Sequence, residues 1–194
     1  TDPRRLAVAQ AIAAAIVRDA APQPHDEVMD FGAGTGLVTL QLAPRVRSLC
    51  AVDGSAGMLA QLERKLATDD IGNVRCLHLN LDAPLALPHG FDLVVSSMTL
   101  HHVPELAPLF AAFHAALRSG GRVALADLEQ EDGSFHADNT GVHHFGFAHE
   151  LVQTALAEAG FVDIAFTEAT RIGRPQPDGA SRFYPVFLVV ARRA

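Results

Sequence analysis

Apolar positions in this chain fall into two alternating rhythms. Leu6, Ala9, Ala13, Ile16 and Val17 recur at helical spacing, which predicts an opening helix that Pro22 and Pro24 end. Val28–Phe31 predicts a first strand, and Gly36 to about Ala43 a helix that Pro44 stops. Ser48–Asp53 predicts a second strand. Ser55 can cap the helix after it, whose face is Met58, Leu59, Leu62 and Leu66. Val74–Leu79 and Phe91–Ser96 predict strands three and four, the latter a continuous apolar run of the kind seen when both faces are covered. Between them, Pro84, Pro88 and Gly90 leave no room for a helix. After Pro104 a helix turns Leu106, Leu109, Phe110, Phe113 and Leu117 inward, Ser119-Gly120-Gly121 closes it, and Arg122–Leu128 is the fifth strand. Phe147 to Ala159 has a helical pattern ended by Gly160. Phe161–Phe166 and Val186–Ala191 are the last two strands, joined by a Gly/Pro-rich segment, Arg171–Arg182, expected to be a mobile loop.

Strands alternating with helices imply an α/β protein with one doubly wound, mostly parallel seven-stranded sheet. The last two strands have no helix between them and should form an antiparallel hairpin. The final strand is apolar on both faces and should lie inside the sheet, with Pro185 at its start. Residues 1–194 read as one domain, 1–24 an N-terminal helical segment and 25–194 the core.

The chain has 194 residues, 49% of them hydrophobic, enough for a core without covalent staples. A formal charge of −7 argues against a nucleic-acid partner. Two cysteines, Cys50 and Cys76, sit in strand-like runs and read as free thiols of a reduced compartment. With no membrane-spanning run and no signal-peptide pattern, a cytoplasmic location is expected. The chain begins at Thr1 rather than Met, so residues ahead of it can be missing.

The chemistry concentrates at the predicted carboxyl ends of the strands, where a doubly wound sheet binds ligands. Strand one ends in Asp30, followed by Gly32, Gly34 and Gly36, a glycine turn that lets backbone approach a ligand ahead of a helix N-terminus. The spacing is G-x-G-x-G, with Leu37 where a dinucleotide fingerprint has its third glycine. Asp53 ends strand two, about 20 residues past the glycines, where a carboxylate can take ribose hydroxyls. Asp82, past strand three, could accept from an adenine amino group, Leu81 and Met58 could sandwich the ring, and Asp30 could pair with a cationic amine. Ser96, Ser97 and Met98 end strand four.

This ordered series resembles the class I S-adenosylmethionine-dependent methyltransferases, in particular small-molecule members with a compact core. VMDFGAGTGLVTL is similar to their glycine motif, VDGSAGML to the acidic ribose motif, NLDAPLALP to the adenine motif, FDLVVSSMTLHHVPEL to the fourth-strand motif, LRSGGRVALADL to the fifth strand, and FYPVFLVVARR to the final antiparallel strand. The resemblance implies a Rossmann-like methyltransferase fold that binds S-adenosyl-L-methionine and leaves S-adenosyl-L-homocysteine. It implies that Asp30, Phe31, Gly32, Ala33, Gly34 and Gly36 line the methionine portion, that Asp53 and Gly54 take the ribose, that Met58, Leu81 and Asp82 take the adenine, and that Ser97 contacts the cofactor. Members often carry an N-terminal lid; here the segment before the first helix is short.

Transfer to a small-molecule acceptor by in-line displacement is the expected reaction, with His101 or His144 as base or orienter. His102, His136, His143 and Phe145 are the expected wall of the acceptor pocket. His136, His143 and His144 with Asp138 could be read as metal ligands, but their spacing fits no standard site, and no metal is assigned. Glu129, Glu131 and Asp132 form an acidic cluster that is either a solvated loop or a contact for a cationic substrate. An NAD-dependent oxidoreductase and a non-catalytic S-adenosylmethionine-binding regulatory module are the competing readings, and a homodimer through the last strands is left open.

Overall fold

A computed structural model describes residues 2–80, 85–175 and 181–194. The chain runs α1 (Pro3–Asp19), β1 (Glu27–Phe31), α2 (Thr39–Leu42), β2 (Ser48–Asp53), α3 (Ala56–Thr68), β3 (Val74–His78), β4 (Phe91–Ser97), α4 (Leu106–Ala116), β5 (Leu117–Leu128), α5 (His149–Glu158), β6 (Phe161–Pro175) and β7 (Ser181–Arg193). Short 3-10 turns follow α2 (Ala43–Arg45) and β4 (Leu100–His102). The seven strands form one sheet in the order β3-β2-β1-β4-β5-β7-β6, with only β7 antiparallel to its neighbours.

Both faces of the sheet are covered, which is why the middles of β1, β2 and β4 (Val28-Met29, Leu49 to Val52, Leu93 to Val95) are apolar. On one face Met29, Val94, Val123 and Phe187 pack against Phe110 and Phe113 of α4 and Val152 and Leu156 of α5. On the other, Val28, Leu93, Ala124 and Leu188 meet Ile12 and Ile16 of α1 and Leu62 and Leu66 of α3. Helix α1 starts where expected because the Asp2 carboxylate accepts from the Arg4 N–H and Pro3 needs no partner for its missing donor. Ser55 caps α3 by accepting from the Met58 N–H at 3.3 Å.

Four local expectations are corrected. The helix after the glycine turn is a single α-helical turn, Thr39–Leu42, because Gly34 to Val38 is taken up in tight turns and Pro44 forces a 3-10 end. Leu117 begins β5, paired with Phe91, and Ser119-Gly120-Gly121 is an irregularity within that strand. The described residues of the Arg171–Arg182 segment are strand, with residues 176–180 of the expected loop outside the described residues: Arg171 to Pro175 pair with Ser181 to Pro185 as a two-stranded extension of the hairpin. Pro185 therefore lies inside β7. It stands where β7 has outrun its ladder with β5, whose last pair is Leu128 and Val186, so its missing N–H is tolerated. Cys50 is buried as expected and Cys76 half-buried, both free.

The strand order reverses between β1 and β4. Their carboxyl ends lie side by side and their connections leave in opposite directions, which opens the crevice that ligands use in such sheets.

Candidate functional site

The glycine turn runs from β1 over the end of β2, with the N–H groups of Gly32 and Ala33 donating to the Val52 carbonyl at 2.8 and 3.0 Å. Its three glycines do different jobs. A Cβ on Gly32 would lie 2.2 Å from Thr99 Oγ1, and one on Gly36 would lie 2.2 Å from Leu62 Cδ1. Those two positions are closed by the protein's own packing against the β4 end and against α3. A Cβ on Gly34 would meet only Met58 Sδ, at 3.7 Å. Gly34 and the exposed Met58 thus border open space, where a ligand can approach backbone.

Asp53 stands at the end of β2 and holds this turn in place. One of its oxygens accepts from the Gly34 N–H and the other from the Ser55 N–H, both at 2.7 Å. A carboxylate offers about four lone-pair sites, so two remain for hydroxyl donors. Asp30, at the end of β1, is buried and accepts from Thr39 Oγ1 at 2.5 Å. Burial, set against the Thr39 bond and reinforced by the charge of Asp53, pushes the Asp30 carboxyl up to about 6. An ionised Asp30 is left wanting a cation. Lys65 reaches back from α3 to donate to the Thr35 carbonyl at 2.6 Å, and Ser96 Oγ donates to the Phe31 carbonyl at 2.9 Å, tying the ends of β1 and β4 together.

Beyond β4 the backbone is strained at Met98, whose φ of 53° is rare outside glycine. The chain then enters the Leu100–His102 turn, which drives His101 inward. His101 Nδ1 lies 2.7 Å from Asp127 Oδ1, and both residues are almost fully buried, at 1% and 0% exposure. Asp127 projects from β5 and also accepts from the Leu128 N–H at 2.7 Å and the His101 N–H at 3.3 Å. An ionised carboxylate only accepts, so Nδ1 carries a proton, and in the neutral ring Nε2 is then the lone-pair atom. That Nε2 is buried with no hydrogen-bond partner. His102 sits against it, ring centroids 4.2 Å apart, and uses Nδ1 to donate to the Gly141 carbonyl at 2.8 Å. His136 closes the group from the β5–α5 segment, 5.1 Å from His101 and 5.8 Å from His102 between centroids. Burial first, and then the neighbouring His101 and His102, hold His136 below the ordinary histidine value.

The other predicted residues separate. His144 Nε2 donates to the Val103 and Pro104 carbonyls at 3.0 and 3.2 Å, and the His143 and His144 N–H groups donate to the His101 carbonyl. These two residues fasten the β5–α5 segment over the His101 turn. The exposed Phe145 lies over Gly133 instead of joining the histidines. The postulated His136, His143, His144 and Asp138 set does not assemble: the Asp138 carboxylate is turned to Thr140. The acidic cluster is used internally, Glu129 toward His149, Glu131 on the Ser134 N–H, and Asp132 with Arg182. Leu81 and Asp82 lie outside the described residues. Sequence reasoning missed Asp127, Thr99 and Thr39. A readable signal existed for the first, a lone carboxylate inside the apolar strand RVALADL.

The sequence profile of the methyltransferase domain family matches residues 28–121. The chain is 28% identical over 166 residues to an uncharacterized methyltransferase of Schizosaccharomyces pombe, covering 77% of this chain and 56% of that protein. It is 29% identical over 181 residues to the trans-aconitate 2-methyltransferase of Deinococcus radiodurans, covering 86% and 65%. The chain thus spans somewhat more than half the length of these two curated relatives. Among solved structures, the YcgJ protein of Bacillus subtilis superposes with a TM-score of 0.78 at 14% identity, over 95% of this chain and 98% of that one. A phosphoethanolamine N-methyltransferase of Haemonchus contortus, solved with phosphomonomethylethanolamine and S-adenosylhomocysteine, superposes with a TM-score of 0.76 at 16% identity, over 95% and 52%. Residues 28–121 thus match the methyltransferase domain family, and the chain shares the fold of these solved structures.

Proposed function

We propose that this chain transfers a methyl group from S-adenosylmethionine to a small-molecule acceptor. The observation that carries this reading is the opposition of two built groups across the β1–β4 crevice. On one side are Asp30, Gly34, Asp53 and Met58; on the other is the buried Asp127–His101 pair.

The residues on the first side fit the cofactor. Asp53 has lone pairs left for two ribose hydroxyls, Met58 offers an exposed apolar face to an adenine, and Asp30 is a buried carboxylate whose ionised form calls for an ammonium. When bound, S-adenosylmethionine supplies a methyl on a positively charged sulfur, already a good leaving group. The chain's own work is then positioning, which in favourable cases removes about 7–11 kcal/mol of a barrier. Asp127 holds the buried His101 ring in place past the end of β4, so that the turn it anchors, with His102, forms a fixed wall against which an acceptor can be oriented. His144, occupied by two carbonyls, is assigned the fastening of the segment above that turn.

The acceptor is proposed to be a small metabolite, in keeping with the net charge of −7. Of the relatives, one is named a trans-aconitate 2-methyltransferase, which makes a small organic acid one class to test. Calorimetry with S-adenosylhomocysteine should show one binding event, weakened at least about tenfold by Asp53→Ala, since bonds to a charged acceptor contribute about 1.5–3 kcal/mol each. A titration with NADH should show none. Heat with NADH and none with S-adenosylhomocysteine would overturn the reading. A labelled-methyl screen over small-molecule extract then identifies the acceptor.

A further inference from the structure

Among the described residues, three buried side-chain nitrogens lack a hydrogen-bond partner, and two of them, His101 Nε2 and His136 Nε2, belong to neighbouring rings. Two imidazole nitrogens buried side by side without a donor or acceptor call for something between them. Taken with His102, the three rings each offer a nitrogen, all within 4.8 Å of one another. The outer nitrogens are prepared for that use. His101 Nδ1 donates to Asp127 and His102 Nδ1 donates to the Gly141 carbonyl, so in each neutral ring Nε2 is the atom with the free electron pair. A carboxylate or a carbonyl behind the far nitrogen is the support that metal-bound histidines use to fix tautomer and orientation.

From this geometry we infer that His101, His102 and His136 form a site for a borderline divalent transition-metal ion of the zinc, cobalt or nickel kind. An all-imidazole donor set selects such ions over magnesium or calcium, which prefer oxygen. Tetrahedral coordination places ligand nitrogens about 3.4 Å apart, from metal–nitrogen lengths near 2.0–2.1 Å. The rings therefore close by up to about 1.4 Å from the present 4.8 Å limit. The exposed His102 has the freedom to do so, while His101 and Asp127 are held by the core. Three protein ligands leave a position for water or for an oxygen of another molecule, and the site lies just past the β4 end. Its use in orienting an oxygen-bearing methyl acceptor rests on the methyltransferase reading; the binding of the ion does not.

The test uses the purified chain stripped with a chelator and dialysed. Zinc is titrated against a chromophoric competitor, and cobalt is followed by its visible absorption. One equivalent of zinc should bind, and cobalt should give the intense bands of a four-coordinate site. His102→Ala, at an exposed position, and His136→Ala should each abolish stoichiometric binding while keeping the circular dichroism of the parent. Asp127→Asn should weaken it about 10- to 100-fold. No stoichiometric binding by folded protein, or binding that survives both histidine substitutions, overturns the inference. Calorimetry with S-adenosylhomocysteine on the same sample separates the two proposals. Cofactor heat without zinc binding sinks the metal site alone, and zinc binding without cofactor heat sinks the methyltransferase reading alone.

Discussion

His101 and Asp127 meet at 2.7 Å in the interior, one just past the end of β4 and the other the penultimate residue of neighbouring β5. Three N–H donors converge on that one carboxylate. Replacing it with Ala strands all of them away from water, at about 1–3 kcal/mol each before relaxation. Asp127→Ala should therefore lower the unfolding free energy by about 3–5 kcal/mol, read from the urea midpoint. Asp127→Asn keeps one acceptor oxygen and should lose only about 1–2 kcal/mol. Equal midpoints for Ala and parent would show that the pair contributes nothing to stability.

The glycine turn predicts a split between folding and binding. Gly32→Ala combines a left-handed φ of 74° with a contact on the Thr99 side chain. About 2–5 kcal/mol of stability should be lost, from strain of about 1–2 and overpacking of about 1–3 kcal/mol. Gly34→Ala meets only Met58 Sδ, so its loss should be close to the strain alone, about 1–2 kcal/mol. Its effect on S-adenosylhomocysteine affinity should be the larger of the two when each is measured on folded protein. Thermal melts beside calorimetric titrations distinguish them; a Gly34→Ala variant with full affinity would remove Gly34 from the proposed cofactor face.

Met58 gives a cleaner version of the same contrast, because the residue is 45% exposed. Met58→Ala should change the unfolding free energy by less than about 0.5 kcal/mol. If it covers a bound adenine, affinity should drop by roughly tenfold, the equivalent of burying a modest apolar area at about 25 cal/mol per Å². Unchanged affinity would place the adenine elsewhere.

The sheet, its order of elements and the gathering of strand-end residues around the glycine turn were legible because each depends on local patterns. Continuous apolar runs mark doubly covered strands, Ser55 marks a cap, and Gly32, Gly34, Asp30 and Asp53 end strands that any βα alternation places together. The group around His101 was legible only in part, because it is built by contacts between segments far apart in sequence. His101 was named, but Asp127, 26 residues on, was hidden inside a strand until the register set β5 beside β4. His102 and His136 were named as pocket lining, and only the fold shows that they join His101 while His144 turns to the Val103 carbonyl. The hairpin was read too short for a related reason. Gly173 and Pro175 look like loop residues, and nothing local reveals that Arg171 to Pro175 pair with Ser181 to Pro185 past the edge of β5.

Asp30 carries the pH prediction. Its carboxyl titrates at about 6 in the folded protein against 3.8 as its ordinary value, so between those limits the folded state holds the extra proton. Stability contributed by this group must then fall as pH rises from about 4 to 6, by about 3 kcal/mol for a shift of roughly two units. Asp30→Asn removes the ionisation and keeps an oxygen that can accept from Thr39. The variant should match the parent near pH 4 and be the more stable by about 2–3 kcal/mol at pH 7–8, as read from urea midpoints across that range. Affinity should move the other way, because an ammonium at Asp30 favours the ionised carboxyl that the variant lacks. Cofactor binding by the parent at pH 5–6 should for the same reason release a proton, visible as a binding heat that varies with the ionisation enthalpy of the buffer. A stability difference that does not change with pH would mean that Asp30 is ionised throughout and already has its cation within the protein.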